Sequence, residues 1–394
     1  MSALALDVAR PHMAALADEL TASGAIRSEP WAKAFRNVPR HLFVPRWLEQ
    51  ETDSKGITVW RERHATDAGA LAAAYRDVTL VTALDPATAV QVDDTAWTGI
   101  PTSSSTLPSL MAGMLEDLTV GHGDRVWEIG TGTGYNAALL CERVGADRVH
   151  SSDVDPALVE IARDRLAAVG HLPHLAAGDA RRGYPDPAEV FDRIIATCSV
   201  PSIPDAWITR LRPGGVLVAD VALGIEGGLV CLTTDQEGRS VGRFTTTAGR
   251  FMAARGEART YPAPQRPQRA FAVGERPATL TAADIRAHYP LRLLLAVTLP
   301  GAELVYHVDE ATGVMAIQLQ AADGSWARVP FTGTATGTVT WGGDEELWKQ
   351  AEAAWAWWTG IGRPAQDLFG YDRLPDGSVS VWHVPDGTRW YLPA

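Results

Sequence analysis

The stretch from Arg125 to Asn136 reads RVWEIGTGTGYN, with glycine at 130, 132 and 134 and a carboxylate just ahead of them at Glu128. Glycines at alternate positions let the main chain turn tightly and let a ligand lie directly on it, because no Cβ stands in the way. The apolar residues Val126, Trp127 and Ile129 before the glycines, and Ala137 to Leu140 after them, predict a buried strand, a turn and a helix start. Free N–H groups at such a helix start face whatever the turn holds. Spacing narrows the ligand. A dinucleotide fold wants G-x-G-x-x-G, but three residues past Gly132 stands Tyr135, so pyrophosphate is disfavoured. No Lys-Ser or Lys-Thr pair follows the glycines, which removes a P-loop.

What remains is E-x-G-x-G-x-G, Glu128 to Gly134, which resembles motif I of the class I methyltransferases that bind S-adenosylmethionine. The resemblance implies an α/β, Rossmann-like core. It assigns Glu128, Gly130, Thr131, Gly132 and Gly134 to the cofactor, with the Glu128 carboxylate near the ammonium and sulfonium end. Further residues fall at matching intervals. Arg148 to Asp153 reads as a second strand ending in an acid about twenty residues past the glycines, where such folds place the ribose-binding carboxylate. Asp155 caps a helix expected over Pro156 to Val169. Gly178-Asp179-Ala180, after a third apolar stretch, matches the family's adenine-contacting turn.

A second group of residues offers different chemistry. Thr102 to Thr106 is an unbroken run of hydroxyls, followed by a helix expected from Pro108 to Leu118 with Leu110, Met111, Met114 and Leu115 inward. By preference such a run is a loop, with Thr106 as the helix cap. Methyl transfer from a sulfonium to a carboxylate is a one-step displacement in which positioning supplies most of the rate. Hydroxyl donors hold the acceptor oxygen without neutralising it.

Together with NVPRHLFVP from Asn37 to Pro45, Tyr75-Arg76-Asp77 and the stretch Phe191 to Trp207, this run resembles the protein L-isoaspartate O-methyltransferases over Val38 to Asp220. That family carries Thr-Ile-Ser-Ala-Pro-His here. In this chain Pro108 aligns with the proline, Thr106 replaces the serine and Ser109 the histidine. The resemblance implies Ser104, Ser105 and Thr106 as the catalytic hydroxyls, and Ser103 and Thr197 as substrate contacts. The all-hydroxyl version resembles the peptide-tailoring branch associated with graspetide and lanthipeptide gene clusters. It implies esterification of an Asp side chain in a ribosomally made, cyclised precursor peptide, leading to aspartimide. An isoaspartyl repair methyltransferase and a non-catalytic peptide-binding scaffold are the alternatives. Cys198 reads as a packing residue, and His41 as a partly exposed structural histidine.

The chain has 394 residues, 46% of them apolar, enough for two domains: a catalytic unit over 1–260 and a smaller α+β domain over 278–394. A Pro- and Gln-rich linker is expected over 261–277. A helical segment is expected at the N-terminus, with Pro11 opening the first helix and a second over Glu29 to Asn37. Asn37 to Pro45 is expected extended, and Gln50 to Ala74 carries no pattern. In the tail, Leu291 to Thr298 and Gly313 to Leu319 read as strands and Asp344 to Thr359 as a helix. Eight of fourteen tryptophans lie there, and one face with Trp355 or Trp358 and Arg363 is a candidate grip for a peptide.

Composition excludes other classes. A net charge of −12 disfavours a nucleic-acid groove. No stretch approaches the roughly 18 apolar residues of a membrane span. Cys141, Cys198 and Cys231 are widely spaced, so neither a disulfide framework nor a metal site is expected, and the compartment is expected to be cytoplasmic. The oligomeric state is left open.

Overall fold

Strand Val126–Ile129 sends Trp127 and Ile129 to one side and Val126 to the other. The same alternation runs through Phe191–Val200, where Ile194 and Ala196 face one core and Ile195 the other, and through Leu211–Ala222. Strands that are apolar on both faces must be covered twice. In the computed structural model, which describes residues 3–52, 56, 58–67, 69–256, 271–309, 312–331 and 337–393, packed elements cover both faces.

Among the described residues the strands form three sheets. The central one begins with His174–Ala177, Val149–Asp153, Val126–Ile129, Phe191–Val200 and Leu211–Ala222, all parallel. It continues antiparallel through Gly227–Thr234 and Ser240–Phe244, and then through Phe369–Arg373, Val379–His383 and Arg389–Leu392. On one face lie the helices Ala3–Ala22, Glu29–Asn37, Pro108–Asp117 and Tyr135–Val144. The first begins well before Pro11, because Ala9 already belongs to the apolar stripe that Met13, Leu16 and Leu20 continue.

Several expectations for the N-terminal third are corrected. Inside Asn37 to Pro45, Arg40–Phe43 makes a helical turn, not an extended segment. The patternless region holds strands Arg46–Thr52 and Thr58–His64 and helix Ala70–Ala74. Their alternation is hidden because charge faces charge. Arg63 pairs with Glu49, and Arg61 with Glu51, across the ladder. These strands join Val90–Asp93, Ala96–Thr98, Leu80–Leu84 and Pro101–Ser105 in an antiparallel N-terminal sheet. The hydroxyl run is therefore a strand, paired with Leu80–Leu84. Its buried hydroxyls are tolerated because they are bonded: Ser103 Oγ accepts from Thr82 at 3.0 Å.

The tail departs further from expectation. Leu291 to Thr298 lies in a helix, Tyr289–Thr298, with Pro290 in its first turn. An apolar run buried on all sides has no period by which to tell strand from helix. A third sheet follows, ordered Ala272–Ala278, Gly337–Gly342, Trp326–Pro330, Met315–Gln320 and Glu303–Val308. Helix Glu346–Gly360 packs beside it, and the chain then leaves this sheet to add the last three strands to the central one. The tail and the second face of the central sheet share one continuous core. The expected linker lies outside the described residues up to 270, and from 272 it is strand. Trp348 and Trp358 are buried in this core, and Trp355 is half-buried between Arg363 and His288. Of the two tryptophans expected to grip a peptide, Trp358 is thus packed in the core and Trp355 keeps part of its surface exposed beside Arg363.

Candidate active site

The glycine turn is held from two sides. Gly130 has φ +96°, and a Cβ there would meet Thr197 Oγ1 at 2.5 Å; at Gly134, φ +84°, it would meet Ala162 Cβ at 3.1 Å. Thr197 Oγ1 donates to the carbonyls of Ile129 at 3.0 Å and Gly130 at 2.8 Å. Thr197, expected to touch the substrate, thus also fixes the turn. Asp153 supports the other side, its Oδ2 accepting from Gly132 N at 2.9 Å and its Oδ1 from Asp155 N at 3.0 Å. Burial raises the Asp153 pKa.

The turn borders two cavities at the carboxyl ends of the parallel strands, where ligands bind in open α/β sheets. The larger, of about 360 Å³, is lined by Asp153, Asp179, Ala180 and Gly178. Asp179 is paired with Arg181 at 2.8 Å, and that pairing holds its carboxyl below the usual range. The Ala180 carbonyl accepts from Trp207 Nε1 at 2.9 Å. The smaller cavity, of about 40 Å³, is lined by Glu128, Thr131, Tyr135, Asn136 and Ser105. Glu128 is fully buried, accepts from Asn136 Nδ2 at 2.7 Å and from Ser151 Oγ, and is pushed up to about 7 by burial. The Thr131 hydroxyl is bonded to Ser151 at 2.6 Å.

Ser104, Thr106, Gly130, Gly132 and Thr197 line both cavities. Ser103 lines the larger one. Ser105 does not, and its hydroxyl turns toward Arg40 Nε at 3.4 Å. Of the three expected catalytic hydroxyls, Ser104 and Thr106 thus line both cavities and Ser105 only the smaller one. Nor is Thr106 the helix cap: the free N–H of Ser109 goes to Asp77 Oδ1 at 2.8 Å.

Two parts of the site are missed by sequence reasoning. Arg40 is fully buried and donates to the carbonyls of Ala74, Arg76, Val78, Ser105 and Thr106 at 3.0 to 3.4 Å. Burial lowers its pKa to about 10. The signal was a cation set in an apolar, proline-bracketed segment. Beside it His41, expected to be partly exposed, is buried and bonded to Tyr75 Oη at 2.6 Å.

The second part is a strap, residues 250–255, which lines the larger cavity. It is strung along Ser199, whose N–H donates to Met252 O at 2.9 Å and whose carbonyl accepts from Ala254 N at 2.8 Å. Arg255 Nη2 donates to Thr102 O at 3.2 Å, tying the strap to the hydroxyl strand. Arg250 pairs with the buried Asp220 at 3.3 Å and with Glu226 at 2.8 Å. Glu226 also pairs with Arg292 of the tail at 2.8 Å. Cys198, in the same wall, is pushed up to about 12 by burial and stays a thiol.

The residues fit S-adenosylmethionine. The turn leaves a main-chain cradle that Cβ atoms would fill, and an acid ends the second parallel strand. In the small cavity Tyr135 Oη and Asn136 Oδ1 lack hydrogen-bond partners beside the Glu128 carboxyl, a polar setting suited to an amino-acid tail. A parallel sheet, this turn and these acids define a class I methyltransferase.

Comparison with known proteins narrows the class. The family model "Protein-L-isoaspartate(D-aspartate) O-methyltransferase" matches residues 61–256. The protein-L-isoaspartate O-methyltransferase of Ignicoccus hospitalis is 34% identical over 204 residues, 51% of this chain and 78% of that one. Protein-L-isoaspartate O-methyltransferase 2 of Archaeoglobus fulgidus is 31% identical over 227 residues, 57% of this chain and 84% of that one. A solved protein-L-isoaspartate O-methyltransferase shares the fold with a TM-score of 0.51 at 20% identity, covering 94% of this chain and 98% of the other. The chain belongs to the protein-L-isoaspartate O-methyltransferase family. Members of that family are S-adenosylmethionine-dependent carboxyl O-methyltransferases. Among the described residues no helix is long and apolar enough to cross a membrane.

Proposed function

We propose that this chain methylates a carboxylate of an isoaspartyl or aspartyl residue within a peptide or protein. The observation that carries this reading is that Ser104 and Thr106 line both cavities and so stand where cofactor and acceptor meet. When bound, S-adenosylmethionine supplies a methyl group on a positively charged sulfur. The acceptor would arrive ionised, so the chain's residues need supply no base to accept that methyl group. Ser104 and Thr106 donate hydrogen bonds that aim the acceptor oxygen, which is positioning and not acid–base work. Asp153 and Asp179 hold the nucleoside side, and Glu128 the amino-acid end.

The finer reading is that the acceptor is an Asp in a ribosomally made, cyclised precursor, whose ester closes to an aspartimide. What supports it is the altered acceptor run, with Ser109, in the first turn of helix Pro108–Asp117, where the family's run has histidine. The test is mass spectrometry of a plain isoaspartyl peptide and a cyclised precursor after incubation with enzyme and S-adenosylmethionine. Methyl gain on the isoaspartyl peptide supports the family's ordinary acceptor. Gain followed by methanol loss on the cyclised precursor alone supports tailoring. Binding of peptide and cofactor with no methyl gain on either would leave the scaffold reading standing and overturn the proposal.

A further inference from the structure

Directly paired residues of antiparallel strands share a face. In the N-terminal sheet Ser104 pairs with Val81 and Val81 with Leu48; two residues on from Leu48, Gln50 pairs with Trp60, and Trp60 with Trp97. One face therefore runs without interruption from Ser104 and Val81, which line the larger cavity, to two cross-strand tryptophans. Both tryptophans are half-buried, and Trp60 is anchored by its Nε1 to the Gly99 carbonyl at 3.0 Å. The opposite face is already used: Trp47 and Leu80 enter the helical core, and Arg61 and Arg63 pair with Glu49 and Glu51.

The charges on the tryptophan face are Glu62, directly opposite Leu48, and Arg46 and His64, which both pair with Glu62. Leu48 and Val81 are themselves buried, and beyond them the face is carried by the exposed Gln50 and the half-buried Trp60 and Trp97. An aromatic track that begins at the acceptor hydroxyls fits a polypeptide with an apolar anchor, since Trp dominates such contacts.

We propose that this face is the docking track for the acceptor polypeptide, which seats an aliphatic or aromatic residue on Trp60 and Trp97 while its carboxylate meets Ser104. The proposal rests on the reading of the cavity as a peptide carboxyl methyltransferase site. Three to four strand spacings of about 4.8 Å separate Ser104 from the tryptophans, or about 14 to 19 Å. An extended peptide covers that in about four to six residues. The enzyme thus selects acceptors with an apolar residue at that separation from the methylated acid.

The experiment uses the full chain and two synthetic isoaspartyl probes: one of about a dozen residues with leucine about five residues from the acceptor, and a core of about five residues without it. Trp97→Ala should raise KM for the long probe roughly tenfold with kcat held, and Trp97→Phe should restore most of it. KM for the short probe and for S-adenosylmethionine should not move. An unchanged KM for the long probe, or an equal rise for the short one, overturns the track. If neither probe is methylated the cavity reading fails separately, and fluorescence anisotropy of the labelled long probe decides. Binding lost in Trp97→Ala upholds the track, and absent or unaffected binding overturns it.

Discussion

Glu128 is a carboxyl placed where ionisation is costly. Its folded pKa of about 7 lies above the ordinary 4.5 because burial outweighs its two hydrogen bonds. Its contribution to stability is therefore full below about pH 4.5 and lost as pH rises through about 7, a change on the order of 3 kcal/mol. Glu128→Gln without cofactor should match the wild type near pH 5 and exceed it near pH 8 in urea denaturation. A cationic ligand end reverses the preference, since it favours the carboxylate. Cofactor affinity of the wild type should rise as pH passes through about 7, and Glu128→Gln should show no such rise by titration calorimetry. Arg40 presents the opposite case, a cation with carbonyls as its partners. Lysine cannot reach them all, so Arg40→Lys should lower stability by about 2 to 4 kcal/mol in thermal unfolding, at unchanged charge. The two differ in how visible they are in the sequence. Glycines and acids at fixed spacing report a local backbone need, whereas the partners of Arg40 and Thr197 come from segments far away in the chain.

At the scale of elements, the strap over the cavity depends on the tail. Glu226 accepts from Arg250 on the strap side and from Arg292 on helix Tyr289–Thr298, while Tyr289 Oη donates to Gly227 O at 2.7 Å. Glu226→Ala leaves two arginines facing one another. It should cost about 3 kcal/mol of stability and raise KM for the acceptor severalfold more than it lowers kcat. Unaltered acceptor KM in a folded variant would show that the strap keeps its place without the tail. Element types were legible where one periodicity dominated, as in Pro156–Ala168 and Glu29–Asn37. They were illegible where both faces are alike, as in the charge ladder of Arg46–Thr52 and Thr58–His64 or the leucines of Tyr289–Thr298. The hydroxyl strand misled for a related reason: serine's dislike of strands is overcome when each buried hydroxyl has a partner.

The whole molecule is stitched by its last segment. Phe369–Arg373 pairs with Ser240–Phe244, Asp372 is clamped by Arg239 at 2.7 Å, and Tyr371 and Val381 are fully buried. Arg373 pairs with Asp205 and donates to Ile203 O at 3.0 Å, beside the strand that ends at the site. Removing residues 369–394 should therefore abolish soluble, cooperatively unfolding protein, not merely weaken peptide use; a folded, active truncation would contradict this. From sequence the tail strand expected over Gly313 to Leu319 could be placed, as Met315–Gln320, but not the sheets the tail joins, because pairing partners are chosen by tertiary packing.

That pairing also has a consequence for how the protein is made. Arg239 and Asp372 lie 133 residues apart, so during synthesis the strand Ser240–Phe244 waits with its outer edge bare until Phe369–Arg373 has left the ribosome. Non-local pairings of this kind fold slowly, and open strand edges attract other chains. The interval between emergence and closure is thus the stage at which a chaperone, or a lower growth temperature, would decide the yield of active enzyme.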